Sequence, residues 1–244
     1  MAISLAARRL GKADLALEAG DLAAAERARP GWDPAGLSVD QAGRLVLVLA
    51  MADGNRGRFR ERLEVLCNTA EVAELIAFYR GLPLYPDPEA LRARAAEGVR
   101  SNLPPVFEAV AHRNPYPREQ FDERAWNHMV LKALFVDSRL APIAGLDARV
   151  NPALARMLRD YAHERWAAGR PVSPELWRCV GPVADDDALT DLERALGEAD
   201  GGARGAALAL STSPHPEARS LLSRAPDLAR AVGAGEISWD ALAA

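Results

Sequence analysis

The chain has 244 residues, a formal net charge of −4 and a pI of about 5.7. A chain of this size buries most of the surface its unfolded form exposes, and it needs neither disulfides nor a structural metal for stability. Its acidic balance supplies no global basic field, which argues against nucleic acid as a partner.

At the N-terminus Arg8-Arg9 has the look of a twin-arginine export signal, but Lys12, Asp14 and Glu18 interrupt the apolar run such a signal needs. A cytoplasmic location is expected. Ser38 with Gln41 forms a capping box ahead of an apolar run that ends at Ala52. That run is far shorter than the roughly 20 residues that cross a bilayer. No transmembrane segment is expected, while peripheral membrane contact stays compatible with the sequence. Thr69 with Glu71 predicts the start of a further helix toward Tyr79.

Asp87-Pro88, Asn151-Pro152, Ser173-Pro174 and His215-Pro216 predict four more helix starts, because proline suits the first helical turn, where an amide has no partner to lose. Pro104-Pro105 breaks or kinks any helix running from Pro88 to Ala111 by removing donors and crowding the preceding turn. Between residues 121 and 135 the apolar stripe is Trp126, Met129, Val130, Ala133 and Leu134, with Glu123, Asn127, His128 and Lys132 on the other faces. After Asn151 the stripe is Leu154, Met157, Leu158, Tyr161 and Arg165, with Arg156, Arg159, Asp160 and His163 elsewhere. Asp185-Asp186-Asp187 reads as a helix cap that complements the dipole, with cation binding as the alternative. The glycines of 197–205 read as a turn.

No stretch shows the alternation of a strand. The expected fold is all-α, either an irregular helical-repeat solenoid of the HEAT or armadillo kind or an orthogonal helical bundle. A single domain over 1–244 is expected, with N-terminal helices in 1–103, a central region in 104–182 and HEAT-like helices in 183–244.

The chemistry-bearing motifs are sparse. Cys67 and Cys179 show no C-x-x-C spacing and read as buried thiols in a reducing compartment. The histidines never sit at i, i+4 with one another, and no phosphate loop, nucleophile elbow or H-E-x-x-H occurs. His163 with Glu164, and His128 with Glu123 or Asp122, come nearest to a ligand pair, but neither a metal nor a cofactor is expected. Lys12 and Lys132 are the only lysines, so the remaining basic residues are arginine, spread along the chain. Eight of the fourteen aromatic residues lie between Phe107 and Trp177, where prolines also recur. That span is either the main core with its corners or a concave site lined by rings.

Five blocks in this span carry a resemblance: Asn114-Pro115-Tyr116-Pro117; Phe121-Asp122-Glu123 with 126–135, which includes Trp126, Asn127 and Lys132; 145–152, with Asp147, Arg149 and Asn151; 161–170, with Glu164, Arg165, Trp166 and Arg170; and Pro174-Glu175-Leu176-Trp177-Arg178. In content and order they resemble the signature blocks of the EboA family, with His128 standing where glutamine is expected. The resemblance implies a conserved bacterial operon that moves a specialised metabolite toward the cell envelope. Its neighbours look like a prenyltransferase, sugar-processing or cyclase-like enzymes and a metal-dependent hydrolase. The implied role is a non-catalytic accessory protein that binds the metabolite or scaffolds other ebo operon proteins.

Two physical readings of the polar blocks stay open. Asp147, Arg149, Glu164, Arg165 and Arg170 form a buried charge network; or Asn127, Lys132, Arg149 and Arg170 face a cavity floored by Trp126, Trp166 and Trp177, with arginine gripping an anion and indole stacking on a ring. The competing functional class is an enzyme acting on a prenylated, phosphorylated or aromatic metabolite through Asp122, Glu123 or Glu164, with burial raising a carboxyl pKa.

Overall fold

Helix follows helix in the computed structural model, which describes residues 3–198 and 201–242. Among the described residues no strand forms, only isolated bridges pairing Asp14 with Ser38 and His112 with Ile143. The fold is all-α. The chain forms two compact units: residues up to Met129 with Pro142–Ala144 make the first, and Val130–Ala141 with everything from Gly145 onward makes the second.

The first unit contains α1 (Ala6–Leu10), α2 (Ala19–Ala28), α3 (Val39–Leu49), α4 (Arg56–Thr69), α5 (Val72–Arg80), α6 (Arg92–Arg100), α7 (Pro104–Ala111), α8 (Tyr116–Gln120) and the start of α9 (Glu123–Phe135). The Ser38–Gln41 box opens α3 as expected. The Thr69 start does not exist: Thr69 ends α4, its hydroxyl donating back to the Val65 carbonyl at 3.0 Å, and Glu71 with Glu74 forms the box that opens α5. A threonine hydroxyl can serve a carbonyl one turn back as readily as a cap, whereas a carboxylate gains from the helix dipole. Asp87-Pro88 opens only a 3-10 turn, Pro88–Leu91, which runs into α6. Pro104 and Pro105 break the helix and then occupy the first turn of α7, where no donor is lost.

The core of this unit lies where α5 packs on α3 and α7, with Val48, Ala77, Phe107 and Val110 fully buried. Within α3, Asp40 and Arg44 form a buried ion pair one turn apart, and the Ser38 hydroxyl adds a 2.6 Å hydrogen bond to Asp40. Helix α2 buries no residue; Arg29 just beyond it donates to the Pro83 carbonyl at 2.8 Å and to Glu119 of α8 at 2.9 Å.

The second unit contains the end of α9, α10 (Pro152–Ala167), α11 (Asp186–Leu196), α12 (Gly201–Thr212), α13 (Ala218–Ser223), α14 (Pro226–Gly233), α15 (Trp239–Leu242) and 3-10 turns at Pro174–Cys179 and Gly181–Val183. Asn151 caps α10, its side chain accepting from the Leu154 N–H, and Asp185 caps α11 through the Ala188 N–H. The Ser173-Pro174 start gives the 3-10 turn and not an α-helix, and after His215-Pro216 the chain turns before α13 begins at Ala218. The buried stripe of α10 is Leu154, Ala155, Leu158 and Ala162, with Met157, Tyr161 and Arg165 at its margin.

The turn expected over 197–205 does begin, at Gly197 and Glu198 after α11, but it is shorter than expected. Ala199 and Asp200 lie outside the described residues, but Gly201 already begins α12, and Gly202 and Gly205 are buried within it. A Cβ on Gly205 would stand 2.5 Å from the Pro174 carbonyl oxygen, and one on Gly181 would stand 2.5 Å from that of Ala209. These two glycines, Gly205 in α12 and Gly181 in a 3-10 turn, let α12 lie backbone to backbone against the two turns, which is why Gly205 sits inside a helix despite glycine's helix penalty.

Candidate functional site

Much of the signature holds backbone. Asn114 is buried, and its side-chain amide donates to the carbonyls of Tyr79 at 3.0 Å and Ala109 at 3.1 Å while its oxygen accepts from the Tyr116 N–H at 3.0 Å. Tyr116 in turn donates its hydroxyl to the Pro88 carbonyl at 2.5 Å, and burial raises the pKa of that phenol. Trp126 is fully buried, and Asn127, expected on a polar face of α9, is buried too at 3% exposure. Asn127, Lys132 and Arg149 each hold an interaction with a neighbour.

In the second unit, Asp147 pairs side-on with Arg178, at 2.6 and 2.7 Å. That hydrogen bonding holds the Arg178 guanidinium above its ordinary pKa against the effect of burial. Asn151 caps α10 and donates its side-chain amide to the Arg149 carbonyl at 3.2 Å. Glu175, quoted in the signature but given no role from sequence, is buried and accepts the Leu140 N–H at 2.9 Å and the Ala141 N–H at 2.8 Å, pinning that turn to the 3-10 segment. Trp177 is fully buried and stacks on Trp166 at 5.8 Å between centroids. Trp166 also stacks on His163 and lies 4.0 Å beneath the Arg194 guanidinium. His163 sits beside Asp191, 2.6 Å from its carboxylate, rather than pairing with Glu164.

Three of the expected residues do converge. Glu164, Arg165 and Arg170 line one open cleft of about 770 Å³, together with Leu134, Phe135 and Asp137 from the end of α9, Tyr161 and Ala168 from α10, and the segment from Pro171 to Pro174. Tyr161 donates its hydroxyl to the Leu134 carbonyl at 3.2 Å, which fixes its ring edge-on to Phe135 at 4.8 Å. Arg165 crosses the Tyr161 ring 6.0 Å from its centroid and donates to the Pro171 carbonyl at 3.0 Å, holding the cleft's lower strap. The turn between is closed by Gly169 at φ 63°, a conformation that favours glycine. Phe135 is 58% exposed, well outside the buried stripe of α9.

The cleft thus offers a ring pair for stacking, two guanidiniums for an anion and the carboxylates of Glu164 and Asp137 as acceptors for hydroxyl or amine donors. The expected tryptophan floor is not there: Trp126 and Trp177 are enclosed and none of the three tryptophans lines this cleft, whose aromatic wall is Tyr161 and Phe135. Nor do the five charged residues form a buried network, since Asp147, Glu164 and Arg170 are exposed. Asp122, Glu123 and Glu164 are all exposed, and the Asp122 carboxylate caps the Ala125 N–H at 2.7 Å. Sequence reading missed Phe135 and Glu175; Phe135 was signalled by its position off the apolar stripe, whereas Glu175 gave no sign that its partners lie 35 residues away.

No helix among the described residues is long and apolar enough to cross a membrane. No curated protein and no solved structure matches the chain. The family model described as metabolite traffic protein EboA matches residues 1–181, reaching well N-terminal of the blocks that first carried the likeness. The chain therefore belongs to the EboA family of metabolite traffic proteins.

Proposed function

We propose that this chain serves metabolite traffic as a non-catalytic binding protein, holding a small molecule in the Tyr161–Arg170 cleft of its second unit. The carrying observation is the convergence of Glu164, Arg165 and Arg170 beside the exposed Phe135 ring and the half-buried Tyr161 ring. A cleft of that volume lies within the range of small-molecule sites, roughly 300–1,000 Å³. Its chemistry suits a ligand with a flat or hydrocarbon body and one anionic group, the body lying on the rings and the anion on arginine. The other ebo operon proteins are the second class of partner, and the same open face would serve them.

Native mass spectrometry of the protein purified gently from its host, followed by denaturation, tests the reading. The expected result is a co-purifying small molecule that is lost from Phe135→Ala and Arg170→Ala, both exposed positions whose replacement leaves the fold intact by circular dichroism. A stoichiometric protein partner with no small molecule would replace the binding role with a scaffold role. A small molecule retained equally by both variants would move the site elsewhere.

A further inference from the structure

We infer that the first unit carries a second, separate site: an oxyanion cleft between Arg80 and Arg113 that takes the phosphate group of a small molecule. Arg80 ends α5, and its guanidinium reaches back to the 33–36 loop, donating to the carbonyls of Gly36 at 3.2 Å and Ala35 at 2.8 Å. Arg113 follows α7 and donates to the same Ala35 carbonyl at 3.3 Å. Two guanidiniums thus meet on one neutral oxygen. Asp33 pairs with Arg113, 3.6 Å from its Nε, at a half-exposed position where such a pair is weak. One Asp33 oxygen is already committed, accepting the Ala35 N–H at 2.8 Å.

Like charges held together carry an electrostatic cost, and it is visible here: burial first, and then the neighbouring Arg113, push the Arg80 pKa below the ordinary arginine range. The backbone of Arg113 is itself in the left-handed region at φ 51°, a conformation a non-glycine residue keeps only where its surroundings impose it. They do so through two bonds, the Arg113 N–H to the Pro142 carbonyl at 2.9 Å and the Asp33 N–H to the Arg113 carbonyl at 3.2 Å. Beside the pair opens a cleft of about 390 Å³ with Ile76, Pro105, Ala109 and Pro142 as its apolar wall and Glu108 and His112 among its polar groups. A doubly charged phosphate matches two adjacent guanidiniums better than a single carboxylate does, and it would displace Asp33 from Arg113. Being confined to the first unit, the site stands or falls independently of the Tyr161–Arg170 cleft.

The test is an NMR titration of the full chain with inorganic phosphate at constant ionic strength. Saturable amide shifts are expected around Ala35, Arg80 and Arg113, weakened at least tenfold in Arg113→Gln. Asp33→Asn keeps the acceptor for the Ala35 N–H while removing the competing charge, and should tighten binding at least twofold; this second variant carries the test if Arg113→Gln fails to fold. Shifts that do not saturate, that fall elsewhere on the chain, or that are indifferent to both substitutions would overturn the site.

Discussion

Gly205 of α12 stands so close to Pro174 that an added Cβ would lie 2.5 Å from its carbonyl oxygen and 2.9 Å from its Cα. Backbone on both sides leaves nothing flexible to give way. Although alanine is the better helix former by about 1 kcal/mol, Gly205→Ala is expected to destabilise the second unit by about 1–3 kcal/mol through overpacking. Gly233, near the end of α14, has open space at the same position, so Gly233→Ala should be neutral or stabilising by up to ~1 kcal/mol. Urea midpoints of the two variants, compared with the parent, decide the point; equal behaviour would mean the seam is softer than its geometry.

Asn114→Ala removes three hydrogen bonds at once and strands the Tyr116 N–H in a buried place. A loss of about 2–4 kcal/mol is expected, since unsatisfied buried polar groups cost on the order of 1–3 kcal/mol each. Asn114→Asp should be hardly better, because a carboxylate keeps the acceptor but supplies neither donor. Chemical denaturation of both variants checks this, and a mild effect from either would mean that these hydrogen bonds do not hold the corner together.

The Asp40–Arg44 pair predicts a pH signature. Burial pushes the Asp40 carboxyl up, but the Ser38 hydroxyl and the Arg44 guanidinium outweigh it and hold the pKa below the ordinary value. A depressed native pKa contributes stability that is present above the unfolded value of about 3.9 and is lost as pH falls through the native one. Asp40→Asn should therefore be markedly less stable than the parent at pH 7, where Arg44 is left buried without its partner, and the gap should narrow below about pH 4. Thermal midpoints at pH 7 and pH 2.5 measure it; a gap of constant size would show that the carboxylate charge is not what matters.

Burial pushes both thiols, Cys67 and Cys179, up to about 12. The thiolate is the reactive form, so the native chain at pH 8 should take up no iodoacetamide over a period in which the urea-unfolded chain is fully alkylated. Intact-mass measurement reads the outcome directly. Labelling of the native chain at Cys179 in particular would mean that the 3-10 segment opens readily.

Local chemistry made much of the fold legible. Ser38 and Asn151 cap where their side chains can reach free N–H groups within three residues, the proline pair at 104 and 105 breaks the helix by its own covalent geometry, and the α9 stripe follows from periodicity. What could not be read depends on distant partners. Glycine marks either a turn or a close approach, and only Pro174 decides which applies at Gly205. One of Asn114's partners, the Tyr79 carbonyl, and both of Glu175's lie some 35 residues away, so a polar signature residue looks the same in sequence whether it holds a loop or a ligand. Glu164, Arg165 and Arg170 were recognised and do meet, yet the rings beside them are Tyr161 and Phe135, because the tryptophans were claimed by packing.

The seam along α12 also says how this chain can be divided. The family match ends at residue 181, in the middle of the 3-10 turns that rest on α12. A chain cut there would keep every recognised signature block while laying bare the strips of backbone that Gly205 and Ala209 now cover. The helices beyond the match therefore complete the packing of the signature's last block, and a fragment chosen by the reach of family likeness alone is expected to expose that seam to solvent.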